Sequence, residues 1–389
     1  MGEYIWKYQK KLRRGITTGT CSAAAAQAAA RFLFFGERKE SIRIPTPKQV
    51  RVEVPVYYEE SGEDFAEFYV KKDSGDDPDV TNGAKVCVRV SRKKPDGERW
   101  FTSHDYPELF LTGGTGIGTV TKKGLEQEVG MSAINKVPRE MIFRAVGEIQ
   151  KMTEEHSNLW IVVSIPDGEE LAKKTFNSKL GIEGGLSVLG TSGILEPMSE
   201  QSIIDTIEVE IRQYAGQGGT SLLVMPGNYG QAYASEYLKL DLKNSVKCSN
   251  YIGDTLDLAV NYGIREFLLV GNIGKLVKLA AGIMNTHSRI ADGRQEIFCT
   301  HASLAGADKE VIRKLLNSIN TEEMLGILEE EHLREPVLQS ICEKIQEHME
   351  FRIKGQMTFG VVLFSEHYGY LGQTKDTKKI IEHYRHEIG

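Results

Sequence analysis

Two segments in the second half of the chain limit its fold most: SLLVMPG, Ser221–Gly227, and EFLLVGN, Glu266–Asn272. Each is an unbroken apolar run that ends in a turn of Gly, Pro or Asn, and helical sequence follows. A strand that is apolar on both faces must be covered on both faces, which parallel sheets achieve through helical crossovers. LWIVVSI, Leu159–Ile165, has the same character, so this pattern is expected to begin near residue 159. Phe359–Phe364 reads as a late strand that rejoins the sheet, and the charged helical segments between Lys309 and Glu350 read as a cap or insertion. A domain boundary is expected at residues 145–158, in the charged stretch KMTEEHSN.

Upstream the pattern is different. TCSAAAAQAAARFLFF, Thr20–Phe35, is a helix of the best helix former, with threonine at its start and Gly36 suited to a left-handed stop. Small residues on every side require close packing. Ile42–Ile44, Val50–Tyr57, Phe65–Val70 and Lys85–Val90 are β-branched or aromatic and are broken by Pro, Gly and Asp, which predicts antiparallel strands. Pro138–Gln150 reads as a helix. The expected architecture is an α+β N-terminal domain, residues 1–150, with an Ala-rich helix and antiparallel strands. An α/β Rossmann-like domain with a mostly parallel sheet follows, residues 151–389, with a helical insertion around 309–350.

The formal charge of −6 argues against bulk binding to nucleic acid, and an anionic ligand would need a local basic or amide-lined pocket. No run of 18 apolar residues is present to span a membrane. The N-terminal MGEYIWKYQKKLRRG is charged and lacks a following apolar stretch and cleavage site, so a cytoplasmic location is expected. Cys21, Cys87, Cys248, Cys299 and Cys342 are scattered without a CxxC pair, which suggests neither a disulfide framework nor a metal site.

Five segments could carry chemistry. In GITTGTCSAAAA, a helix N-terminus and the hydroxyls of Thr17, Thr18 and Thr20 could receive an anion; a capped, buried helix explains the same residues. DSGDDPDVTNG, Asp73–Gly83, concentrates carboxylates without calcium-loop spacing, and Asp and Asn are also ordinary turn formers. TGGTGIGTVTKKG, Thr112–Gly124, is a glycine-rich loop without a P-loop ending, with Lys122 and Lys123 beside it. GLSVLGTSGILEPMS, Gly185–Ser199, reads as strand–turn–helix, and Ser192 lies outside a GxSxG elbow. In EFLLVGNIGKLVKLAAGIMNTHSRIADGR, Glu266–Arg294, Gly271 and Gly274 could expose backbone amides at a helix start. That is two of the three glycines of a dinucleotide fingerprint. Pro226–Gly230 is another candidate rim of the same sheet.

Taken in order, GITTGTCSAAAA, DSGDDPDVTNGA, GIGTVTKKGL, SAINKVPREMI, LGIEGGLSVLGTSGILEPMSE and IGKLVKLAAGIMNTHSRIADGR resemble the blocks of the cobalt-precorrin-5B C1-methyltransferases (CbiD-like) of anaerobic cobalamin biosynthesis. The resemblance runs from residue 15 to about 305. It implies methyl transfer from S-adenosylmethionine to C1 of a cobalt-bound corrinoid, giving cobalt-precorrin-6A, with cobalt present only as part of the substrate. Transient contact with other enzymes of the pathway is an added expectation.

On that basis the methyl donor is expected at Gly190, Thr191, Ser192, Gly193, Gly271, Asn272 and Gly274. The corrinoid is expected between the domains, with Thr17, Thr18, Thr20, Asp76, Asp77, Lys122, Lys275 and Arg289 as contacts. His287 or Asp292 would serve as a base if one is needed. Two rival readings stand beside this one: a nicotinamide-dependent oxidoreductase using the Gly271–Gly274 turn, and a non-catalytic corrinoid-binding protein.

Overall fold

The computed structural model describes residues 4–388 apart from 8, 98, 154, 176 and 179. The chain forms two compact units, Met1–Glu200 and Gln201–Gly389.

The alanine run organises the first unit. Its helix spans Thr18–Phe35, with Thr17 as N-cap and Gly36 closing it in the left-handed conformation at φ 67°. Ala23–Ala26 and Ala28–Ala30 are fully buried. Methyl side chains keep the helix thin, so strands Phe65–Lys71 and Lys85–Ser91 and the helix Lys136–Gln150 all pack closely against it. The strands belong to a six-stranded sheet with the order Tyr57–Ser61, Phe65–Lys71, Lys85–Ser91, Leu159–Ser164, Leu109–Gly113, Phe101–Thr102. Pairing is antiparallel except between Leu109–Gly113 and Leu159–Ser164.

This corrects two expectations. Leu159–Ser164 does not open the second unit; it is an interior strand of the first. Leu159, Ile161 and Val163 are fully buried, while Trp160 and Val162 on the other face are only partly covered. Trp160 stacks on Phe110 of the neighbouring strand at 5.8 Å, which accounts for apolar residues on the less covered face. The segment Gly185–Ser199 also lies in the first unit: Ile194–Leu195 pairs antiparallel with Gly15–Ile16, and Val188 bridges Ile134.

The second unit is built on a five-stranded sheet in the order Val246–Lys247, Ser221–Met225, Glu266–Asn272, Thr358–Ser365, Gly369–Gln373. The first three pairings are parallel and the last is antiparallel. Alternate residues feed opposite cores, as the unbroken apolar runs require. Leu222, Val224, Phe267 and Leu269 meet helices Glu200–Gly216, Ile252–Asn261 and Arg334–Ile353. Leu223, Met225, Leu268 and Val270 meet helices Asn228–Glu236 and Thr377–Ile388. The expected insertion consists of three helices, Lys309–Asn317, Thr321–Glu330 and Arg334–Ile353, and it is no appendage. Leu315, Leu325, Leu328, Ile341 and Ile345 enter the same core as the sheet. Among the described residues, no helix is long and apolar enough to cross a membrane.

Candidate functional site

Parallel strands bring their carboxyl ends to one edge. From Ser221–Met225 the chain moves outward to Val246–Lys247, then crosses to Glu266–Asn272 on the other side of the starting strand. Crossovers that diverge in this way leave a crevice beyond the ends of the two central strands, the usual ligand position in open α/β sheets. The turns that would wall such a crevice here are Met225–Asn228 and Gly271–Lys275.

Gly227 is extended (φ −178°), and a Cβ placed on it would have no atom within 4 Å, so this backbone faces open space. The helix Asn228–Glu236 starts at that point without a side-chain cap, leaving its first amides to another partner. One turn further on, a Cβ at Gly230 would lie 2.7 Å from the Val270 carbonyl, so glycine lets the helix rest directly on the neighbouring strand. Opposite, Asn272 caps the short helix Ile273–Leu276, its side-chain oxygen accepting from the Gly274 amide at 2.8 Å. Lys275 is half-buried, and burial pushes its ammonium below the usual lysine value. No carboxylate among the described residues offsets that burial.

The same edge receives the loop that carries the sequence-predicted catalytic pair. Asn250 O, just beyond Val246–Lys247, accepts from Thr286 N, and Tyr251 bridges Asn285. Buried Lys278 donates to the carbonyls of Thr286 and Ala291. His287 Nδ1 accepts from the Arg289 amide at 3.1 Å, so its neutral ring carries the proton on Nε2 and offers a donor there. Asp292 accepts two bonds from Arg294 at 2.6 and 2.7 Å. The Arg294 guanidinium holds the Asp292 carboxyl below its usual range and makes it a weak base. The edge also carries residues that the sequence motifs do not indicate. Ser365, ending the fourth strand, donates to the Glu322 carboxylate, and a Cβ on Gly274 would lie 3.2 Å from Thr321 Oγ1. Thr321 and Glu322 begin a helix of the segment whose charge pattern reads as an insertion.

Several predicted ligand residues of the first unit are turned to the protein itself. Thr17 Oγ1 lies 3.2 Å from Thr20 Oγ1, and Thr20 Oγ1 donates to Gly193 O at 2.7 Å. Thr18 is buried as well. Gly190 (φ 147°) is obligatory, because a Cβ there would sit 2.3 Å from Thr17 Oγ1. Ser192 Oγ closes on Ile194 O, and Thr191 is exposed. Gly190–Gly193 therefore close over the alanine helix, whereas Gly271, Asn272 and Gly274 stand at a strand end of the other unit.

In the acidic loop, Asp73 accepts from the Arg13 guanidinium, Asp76 from the Arg13 amide, and Asp79 from Lys72 and Thr81. Asp77 is half-buried, and burial raises its carboxyl above the usual value. Among the described residues no group of His, Cys, Asp or Glu is arranged to hold a metal ion. The Thr112–Gly124 loop is packed rather than open: a Cβ on Gly116 would lie 1.8 Å from Ile165 O. Lys122 is exposed and covers Gly181.

A concave surface in the same unit is lined by Gly15, Ile16, Asp73, Asn82 and Gly83 of the first two motifs together with residues outside any motif. It encloses about 590 Å³ and is walled by Arg13, Arg14, Arg51, Lys71, Glu53 and Asp73, among others.

Comparison with known proteins adds the family. The CbiD sequence profile matches residues 5–197, and that of the CbiD C-terminal domain matches residues 285–375. A cobalt-precorrin-5B C(1)-methyltransferase of Ruminiclostridium cellulolyticum is 45% identical over 94% of this chain and 92% of its own. The protein of the same name from Alkaliphilus metalliredigens is 37% identical over 98% of this chain and 97% of its own. The crystal structure of a cobalamin biosynthesis protein (CbiD) from Archaeoglobus fulgidus is 30% identical, covering 75% of this chain and 88% of that one, with a TM-score of 0.40. With profiles matched at both ends and relatives aligned along almost its full length, the chain belongs to the CbiD family.

Proposed function

We propose that the chain transfers a methyl group from S-adenosylmethionine to C1 of cobalt-precorrin-5B, giving cobalt-precorrin-6A. The observation that carries this reading is the 45% identity to a relative of that name over 94% of the chain. The cobalt belongs to the substrate ring.

We read the second unit as Rossmann-like and place the methyl donor in the crevice between Met225–Asn228 and Gly271–Lys275. Three features fit a ligand with a carboxylate and a long, narrow body. The uncapped N-terminus of the helix Asn228–Glu236 and the uncompensated Lys275 suit the carboxylate, and the open space at Gly227 admits the body close to the backbone. Gly190–Gly193 are assigned instead to closing the first unit over its central helix.

S-adenosylmethionine supplies a methyl on a sulfonium, a good leaving group for in-line attack by carbon. The protein's contribution is then alignment and exclusion of water, which can supply several kcal/mol of a barrier of this kind, on the order of 7–11 in well-oriented systems. His287, with a donor at Nε2, and Arg289 are proposed to hold an anionic group of a ligand. Asp292, kept charged by Arg294, orients that loop. Thr17, Thr20, Asp76 and Asp79 are assigned to the fold. The five cysteines form no disulfide, which suits a reducing compartment, and we place the protein in the cytoplasm.

The test is anaerobic incubation with cobalt-precorrin-5B and a methyl-labelled donor, followed by mass spectrometry and NMR. One labelled methyl at C1 with release of S-adenosylhomocysteine is expected. A ring that binds but gains no label from an intact donor would refute the activity.

A further inference from the structure

The basic groove of the first unit has no part in the crevice described above, and its charges are unevenly matched. Arg13 is paired with Asp73, Arg14 with Glu196, and Glu53 with Arg43 and the Ser41 hydroxyl. Lys72, buried at its back, is paired with Asp79. Arg51 and Lys71 line the opening, are exposed, and have no carboxylate partner among the described residues. A chain with a formal charge of −6 thus keeps two uncompensated cations in one concave surface.

A second feature adjoins it. In the hairpin Tyr4–Lys7/Lys10–Arg13, Tyr4 pairs with Arg13 and Trp6 with Lys11, so these four side chains share one face. Arg13 at the end of that face is also a wall of the groove. Lys11 lies over the Tyr4 ring at 4.4 Å, and Trp6 is 72% exposed. An indole left in water beside cations that lead into a basic groove matches a flat conjugated ring with anionic arms. The ring face would stack on the aromatic side chain, and the arms would reach the guanidinium and ammonium groups.

We infer that this groove binds the side-arm carboxylates of the substrate macrocycle, with Trp6 against the ring. The inference rests on the proposed corrinoid substrate, and it adds Arg51, Lys71 and Trp6 to the binding residues.

The test uses the full chain carrying Arg51→Glu and Lys71→Glu together. Affinity is measured for a corrinoid with free side-arm carboxylates and for the same ring with the arms amidated. The unaltered chain is expected to prefer the acidic ring. Reversing two exposed charges removes attraction and adds repulsion, so the variant should lose about tenfold in affinity for the acidic ring. Its affinity for the amidated ring, for S-adenosylhomocysteine and its unfolding midpoint should stay unchanged. Trp6→Leu should weaken both rings alike and abolish part of the tryptophan quenching on binding.

Equal preference for the two rings in the parent and the double variant would overturn the groove. The two proposals fail separately. An unaltered chain that binds the acidic ring but transfers no methyl would refute the activity and leave the groove standing. Normal methyl transfer with unchanged KM in the double variant would refute the groove and leave the activity.

Discussion

Replacing Thr20 with valine separates the two readings of the GITTGTCS motif. The side chain is fully buried, and its hydroxyl donates to Gly193 O at 2.7 Å. Valine has nearly the same shape, so no cavity forms. What is lost is one buried neutral hydrogen bond and the 3.2 Å contact with Thr17 Oγ1. Gly193 O keeps only the long contact from Thr17 N at 3.4 Å. A buried acceptor left in this state costs about 1–3 kcal/mol. With a urea m-value of about 2.5 kcal/mol per M for a unit this size, the midpoint should fall by roughly 0.4–1.2 M. Trp6, Trp100 and Trp160 are the three tryptophans, and all lie in the first unit, so selectively excited tryptophan fluorescence follows that unit alone. KM for the corrinoid should stay unchanged in the same variant. An unchanged midpoint together with a raised KM would refute the argument and return the hydroxyl to the ligand.

The crevice is tested by Gly227→Leu. The backbone there is extended and a Cβ meets nothing, so thermal stability should be unaffected. The side chain would occupy the proposed donor space, and calorimetric titration with S-adenosylhomocysteine should show at least about tenfold weaker binding, on the order of 1.4 kcal/mol. Lys72→Met leaves Asp79 without its buried partner and should destabilise the first unit by up to about 3 kcal/mol in urea melts followed by fluorescence. Burial alone would raise the Asp79 carboxyl, but Lys72 and Thr81 more than offset it and hold it below the usual value. The parent therefore loses this contribution as pH falls below about 4, and the variant should show a flatter acid limb. Burial, helped by Lys344, lowers the His301 imidazole below the usual value. The unfolded chain then binds the proton more readily, so stability should decline as pH falls below about 6.5. Circular dichroism melts should find that slope reduced in His301→Gln, which can still bond Ser340.

Residues whose environment follows from periodicity are legible in the amino-acid sequence itself. The alanine helix begins within two residues of its expected start, because a run of methyl side chains bounded by Thr and Gly has few other uses. The strands Ser41–Pro45, Phe65–Lys71 and Lys85–Ser91 and the late strand Thr358–Ser365 fall where β-branched runs and turn residues put them. Of the candidate sites, the turns after Ser221–Met225 and Glu266–Asn272 are visible as apolar runs ending in glycine. Arg51 and Lys71 are not, because exposed cations carry no local pattern until folding places them around one concavity.

Local composition thus determined which segments are helix or strand and which turns could meet a ligand, because burial and backbone preference average over neighbouring residues. Partners were decided at longer range. Leu159–Ser164 looks like the strands of the second unit, yet pairs with Lys85–Ser91 and Leu109–Gly113, since an apolar run states that a strand is covered and not by what. The hydroxyl of Thr20 is turned inward by a carbonyl 173 positions away. A hydrogen bond of that span depends on how the chain closes on itself, which no stretch of neighbouring residues encodes.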